Sequence, residues 1–160
     1  GVIKAVGIGV NYVKTAMAVI KETDLNIALI AGRYSLLDQS SQEELYPLAL
    51  KKNVSIVAAG VFNSGVLANP VKGATFEYLP ASDEIILKAQ KIGAFLKERG
   101  IPLTAAALQF PLRHPAVTSV LTGSRNSKEL LSNIADFDME LPTDIWSELE
   151  DANLIERLEM

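Results

Sequence analysis

The residues with the most to offer chemically stand just before a helix start. Gly123-Ser124-Arg125 runs into Asn126, and Asn126 with Glu129 has the spacing of a capping box, so a helix begins there with unpartnered backbone N–H groups. Such a terminus attracts anions, phosphate above all, and Ser124, Arg125 and Lys128 add a hydroxyl and two cations beside it. The plainer alternative is a solvated helix start. A second opening lies at Gly7-Ile8-Gly9-Val10-Asn11-Tyr12, which imitates the start of a dinucleotide-binding fingerprint. Tyr12 replaces its third glycine, and Arg33 ends the next strand where an acidic ribose ligand is wanted, so a tight strand-to-helix turn accounts for the glycines better.

Other chemistry is thinly supplied. There is no cysteine, which excludes disulfides, thiolate metal sites and cysteine nucleophiles, and one histidine gives no basis for a metal site. That histidine, His114, precedes a strand beside Pro115, so a structural role is expected of it. Tyr34 is the most tempting proton donor, because a phenol with a lowered pKa acts as a general acid. The motifs H-E-x-x-H, G-x-S-x-G and the P-loop are missing. Glu148, Glu150 and Asp151 read as a solvated acidic face. The net charge is −4 and the 15 Lys and Arg are scattered, so no nucleic-acid partner is expected. No apolar run approaches membrane-spanning length and no signal peptide is visible, so no membrane partner and a cytoplasmic location are expected. The chain starts at Gly1 and enters an apolar run almost at once, which reads as a segment of something longer.

The elements that must position these residues alternate between short β-branched runs and longer amphipathic ones, the pattern of βα units on a parallel sheet. Strands are expected at Ile3 to Val10, Asn26 to Ala31, Ser55 to Ala59 and Val117 to Leu121. Asn11 can cap a helix carrying Val13, Met17 and Ile20, and Ser41 with Glu44 can open another that Pro47 should bend. A long segment from Gly60 to Ala81 is read as a functional or mobile loop. From Ser82, the spacing of Ile85, Ala89, Ile92 and Leu96 predicts a helix stopped by Gly100. Helices follow from Thr104 to Phe110, after Asn126, and from a Thr143 cap through Ile145, Leu149 and Ala152. Four βα units make either a small doubly wound sheet or half of an eight-stranded barrel.

Read together, the strand ends resemble a known family. Ala5 to Asn11, Arg33-Tyr34-Ser35-Leu36-Leu37, Phe62-Asn63-Ser64-Gly65-Val66-Leu67 and His114 to Leu121 running into Gly123-Ser124-Arg125 resemble segments of aldo/keto reductases, in that family's order and spacing. The resemblance implies an α/β fold, the C-terminal half of a TIM (β/α)8 barrel, with four parallel strands (the family's fifth to eighth), flanking helices and a C-terminal helix. It treats residues 1–160 as one partial-barrel domain. It also implies NADP or NAD as cofactor, with Asn11 at the nicotinamide carboxamide, Arg125 near the 2′-phosphate or ribose and Asn133 at the adenine. Ser124 and Lys128 fall at the same phosphate corner. Ala31 stands where the family has a glutamine contacting the carboxamide, and Ala59 near the tyrosine that stacks on the nicotinamide. Phe62 is then a candidate replacement ring face, with loop packing the plain alternative. Gly123 replaces a lysine of many NADP-dependent members, which leaves both cofactors open.

Tyr34 matches a structural Tyr-Ser pair of the family rather than its catalytic tyrosine. The family's tyrosine, lysine, aspartate and histidine lie on earlier strands, so the resemblance implies no catalytic residue in this chain. What it implies is a fragment of a nicotinamide-dependent oxidoreductase that moves hydride between NAD(P) and an aldose or other small carbonyl or alcohol substrate. Sugar dehydrogenases that oxidise aldoses to lactones look most similar, and pyridoxal-oxidising members are close. The alternative is a non-catalytic half-barrel, a binding or association module whose exposed sheet edges favour self-association.

Overall fold

The computed structural model describes residues 1–158; Glu159 and Met160, the last two positions of the expected unit, lie outside the described residues. Strands β1 (Gly7–Val10), β2 (Ile27–Ala31) and β3 (Ser55–Ala59) are linked by helices α1 (Val13–Glu22) and α2 (Leu45–Lys51). A small hairpin follows, β4 (Thr75–Phe76) with β5 (Leu79–Pro80), and then α3 (Asp83–Lys97) and α4 (Leu103–Gln109). Beyond them come β6 (Val117–Leu121), α5 (Ser127–Phe137) and α6 (Ile145–Asp151).

Strands β1, β2, β3 and β6 form one parallel sheet in that order. The order decides between the two windings. A doubly wound sheet reverses at a switch point, whereas here every new strand joins the same edge, and right-handed crossovers then place the helices on one face. This is the wall of a (β/α)8 barrel, four strands wide. Ala28 and Ile30 of β2 and Ile56 and Ala58 of β3 are buried in one cluster with Ala16, Ile20, Tyr46, Ala49, Ile92 and Leu96 from α1, α2 and α3. The alternate positions Gly7, Gly9, Ile27 and Ser119 stay exposed on the other face.

Period-two alternation would set Val117 and Val120 on opposite faces, yet both pair with helix-side residues, Ile56 and Ala58. A bulge reconciles them: the register shifts between Ile56 and Val57, leaving Thr118 as the extra residue, with its Oγ1 donating to the Ile56 carbonyl at 3.3 Å.

The expected first strand is shorter than its apolar run. Ladder pairing starts at Gly7 opposite Ile27; before it, Val6 and Asn26 exchange two bonds of 2.9 Å, and Val2 and Ile3 are exposed. Gly7 explains half of the false fingerprint. A Cβ there would meet Ile27 Cγ2 at 2.4 Å and the Ile27 carbonyl oxygen at 2.5 Å, so this glycine serves strand-to-strand approach.

Three expected caps fail. Tyr12 occupies the cap position of α1 and makes no side-chain bond, leaving Asn11 one residue outside. Glu44 is the cap residue of α2, while Ser41 is buried with its Oγ unpartnered. Asp144 rather than Thr143 caps α6, without a side-chain bond. Pro47 does not bend α2, because it lies in the first turn, where a missing N–H loses no intrahelical bond. Two caps form as their residue types dictate: Ser82 Oγ accepts from Ile85 N, and Asn126 Oδ1 accepts from Glu129 N at 3.0 Å.

The acidic face of α6 is corrected at Glu150, while Glu148 and Asp151 stay toward solvent as expected. Glu150 is largely buried and pairs with Arg113, while Glu148 pairs with Arg99 and Asp151 with Arg157. Arg113 stands 37 residues from Glu150, so helical spacing alone does not reveal that pairing.

Candidate functional site

A cavity of about 880 Å³ opens over the C-terminal ends of all four parallel strands, in the size range of small-molecule sites. Each strand delivers its following residues there for the same reason: the strand stops and the chain turns outward toward a helix. Asn11 and Tyr12 come from β1, Gly32 and Arg33 from β2, Gly60 to Gly65 from β3, and Leu121 to Gly123 from β6. Gly60 (φ 64) makes the β3 turn possible, since a side chain there would crowd the Gly32 backbone N at 3.1 Å.

Of the six residues singled out from the sequence, Asn11, Phe62, Arg125 and Asn133 line this cavity. Ser124 is tied to it, because its Oγ accepts from Asn133 Nδ2 at 3.2 Å. Lys128 lies in the first turn of α5 but off the cavity wall. Phe62 is half-buried, packs against the core and carries the carbonyl that accepts from Gly65 N and Leu67 N.

Arg125 is engaged already. Its Nε and Nη2 donate to Glu129 Oε1 at 3.0 and 2.6 Å, and its backbone N donates to Glu129 Oε2 at 2.9 Å. The capping box is thus shifted by one residue: Glu129 reaches Arg125 rather than Asn126. The hydrogen bonds from Arg125 hold the Glu129 carboxyl below its usual range, and the Glu129 partner raises the Arg125 guanidinium.

Sequence reasoning missed the other half of the site. Arg33 Nε donates to the Asn11 carbonyl at 2.9 Å, and Nη1 donates to Asp38 Oδ2 at 3.1 Å and also to Glu77. One guanidinium so fastens the end of β1, its own loop and the hairpin. Glu77 and Tyr78, the hairpin tip, reach the cavity, and the hairpin is also held by Thr75 Oγ1 donating to Ser64 O and Tyr78 N donating to Ser64 Oγ. The signal in the sequence was a lone arginine at a strand end; its partners 5 and 44 residues away carried none.

The remaining acid–base candidates lie in the core. Tyr34 is buried between Tyr46 and Phe110, its OH 3.4 Å from Gln42 Oε1, and burial pushes its pKa up to about 12. That is the wrong direction for a proton donor. His114 is buried, and its Nδ1 accepts from Ala116 N at 3.1 Å, the structural role expected of it. Among the described residues no group of three or more acidic or histidine side chains could hold a metal, and no helix is long and apolar enough to cross a membrane.

Comparisons with known proteins agree with one another. The model of the family described as the aldo/keto reductase family matches residues 1–154. A pyridoxal 4-dehydrogenase of Microbacterium luteolum is 44% identical over 156 residues, 97% of this chain and 46% of that protein. A D-threo-aldose 1-dehydrogenase of Pseudomonas sp is 38% identical over 157 residues, 97% of this chain and 48% of the relative. An uncharacterized oxidoreductase of Bacillus subtilis (strain 168) is 31% identical over 140 residues. The chain spans about half the length of the curated relatives it matches.

Proposed function

Because this chain belongs to the aldo/keto reductase family, we propose that it is the cofactor-binding part of a nicotinamide-dependent oxidoreductase acting on an aldose or another small carbonyl or alcohol substrate. The observation that carries this reading is the cavity at the strand ends, which gathers Asn11, Phe62, Arg125 and Asn133. Bound there, NAD or NADP would supply the hydride chemistry. The chain's own work is to hold and orient. The start of α5 offers free N–H groups and Arg125 to a phosphate, the Ser124–Asn133 pair offers polar atoms to the adenosine, and Asn11 and Phe62 take the nicotinamide end.

Arg125 must exchange Glu129 for an anion, so a cofactor phosphate competes with a carboxylate already in place. Tyr34 and His114 are enclosed in the core and do not reach the cavity, and the chain alone is proposed to be inactive. Residues 1–160 act as one partial-barrel unit in this reading. Calorimetric titration with NADP and NAD tests it: saturable binding is expected, weakened about threefold for NADP by Arg125→Ala, in keeping with an exposed ion pair. Absence of binding by either cofactor overturns the reading.

A second reading rests on a separate observation. Leu130, Leu131, Ile134 and Phe137 of α5 are exposed, and that helix buries no residue, which favours a half-barrel that associates through this face and the free edges of β1 and β6.

A further inference from the structure

Among the described residues, Asn63 is the one on the cavity wall whose side chain is buried and still half without partners. It is 4% exposed, and its Oδ1 has no hydrogen-bond donor among the described residues. Its Nδ2 donates to the Gly32 carbonyl at 3.4 Å, a bond at the long limit. The orientation of the amide follows from that contact, because the reverse would set two acceptors face to face. Buried amides normally satisfy both ends, so a donor is missing, and an ordered water or a ligand group entering the cavity can supply it.

The chemistry of that missing group is restricted. An ionised phosphate only accepts, so the visitor must present an N–H or O–H to Oδ1. Position narrows it further. Asn63 leans on Gly32, the residue directly after Ala31, and Ala31 is the place on β2 where the family resemblance leads one to expect a side-chain amide. The turn after β3 holds Asn63 at φ 46 and Ser64 at φ 60, with Asn63 N donating to Gly60 O at 2.8 Å, so the backbone fixes the point from which its side chain projects. Oδ1 itself is sealed beneath the cavity surface, so contact with a ligand requires the weak Nδ2 bond to give way and the amide to rotate.

We propose that Asn63 is a cofactor-binding residue whose side-chain carbonyl accepts a hydrogen bond from the nicotinamide carboxamide, an amide function carried by the β3 loop in place of the one β2 lacks. The proposal rests on the cofactor reading above and deepens it: Asn11 and Asn63 would grip the carboxamide from two strand ends and so fix which face of the ring looks into the cavity.

The test uses the 160-residue chain and two forms of the cofactor, NADP and its 3-acetylpyridine analogue, in which a methyl ketone replaces the carboxamide and removes the donor. Calorimetry is expected to show the native chain preferring the carboxamide form by about tenfold, the size of one hydrogen bond left unmade. Asn63→Gly keeps the left-handed backbone and should erase that preference, weakening NADP about tenfold and the analogue less than twofold. Equal weakening of both forms, or of neither, overturns the role of Asn63 while leaving the cofactor reading standing. If neither form binds the native chain, the cofactor reading falls and this inference with it. Should circular dichroism show that Asn63→Gly is unfolded, the native chain decides alone: no preference between the two forms overturns the proposal.

Discussion

His114 shows how much one residue's surroundings alter its chemistry. Its ring packs edge-on against Tyr46 at 4.8 Å and near Tyr34 at 6.0 Å, and burial, aided by the neighbouring Arg113 cation, lowers its pKa. The folded protein therefore binds a proton there less readily than the unfolded chain, whose histidine titrates near about 6.5. The stability this gives is complete above that pH and is lost as pH falls through the lowered folded value. Urea unfolding between pH 7.5 and 5 should accordingly show a falling midpoint, and His114→Asn, which keeps an acceptor for Ala116 N, should fall less. Parallel declines in the two proteins would show that other groups set the slope. Tyr34 makes the same point: a phenol that fits a general acid by type alone is, once enclosed by Phe110 and Tyr46, held protonated far into alkaline pH.

Among the elements, the hairpin β4–β5 is the one whose geometry is most costly locally. Glu77 and Tyr78 at its tip both have positive φ, 51° and 65°, in a turn that usually takes Asn or Gly. Its hold comes from Ser64 and from the Arg33–Glu77 pair instead. Glu77→Gln should speed amide exchange at Phe76 to Leu79 by up to about fivefold, while the global unfolding midpoint hardly moves, since exposed pairs contribute little. A matching loss of global stability would place the hairpin inside the cooperative core.

The same hairpin marks where sequence reading stops. Strands β3 and β6, the helix from Ser82 and the cap Asn126 were legible, because β-branched runs, apolar periodicity and cap side chains act over a few residues. The hairpin has two-residue strands and no Asn-Gly signal, and the Gly7 fingerprint, the Glu150 pairing and the Arg33 fastening all depend on partners distant in sequence. The family resemblance pointed to Asn11, Phe62 and Arg125 near strand ends and to Asn133 within α5, and all four line one cavity; Asn63 stood in a quoted motif, but only three-dimensional packing shows its unpartnered oxygen.

At the scale of the molecule, the sheet is open on both sides and one helix is uncovered. β1 and β6 each have a single neighbour, and Leu131 on α5 is 67% exposed. Light scattering is expected to give a mass that rises with concentration above the 17.3 kDa of one chain, and Leu131→Glu should lower it. An unchanged mass would exclude this face from association.

The strand order adds a condition on what such an assembly can be. With all four strands parallel and added to one edge, the two free edges are different surfaces, one presented by β1 and the other by β6. Two copies turned half a revolution about an axis along the strands would join β6 to β1 twice, keep every pairing parallel and end as a closed ring with no edge left. Pairing like edge with like edge forces the strands antiparallel and leaves the opposite edges bare, ready to recruit further copies. Symmetry alone therefore separates an assembly that halts at two subunits from one that goes on lengthening.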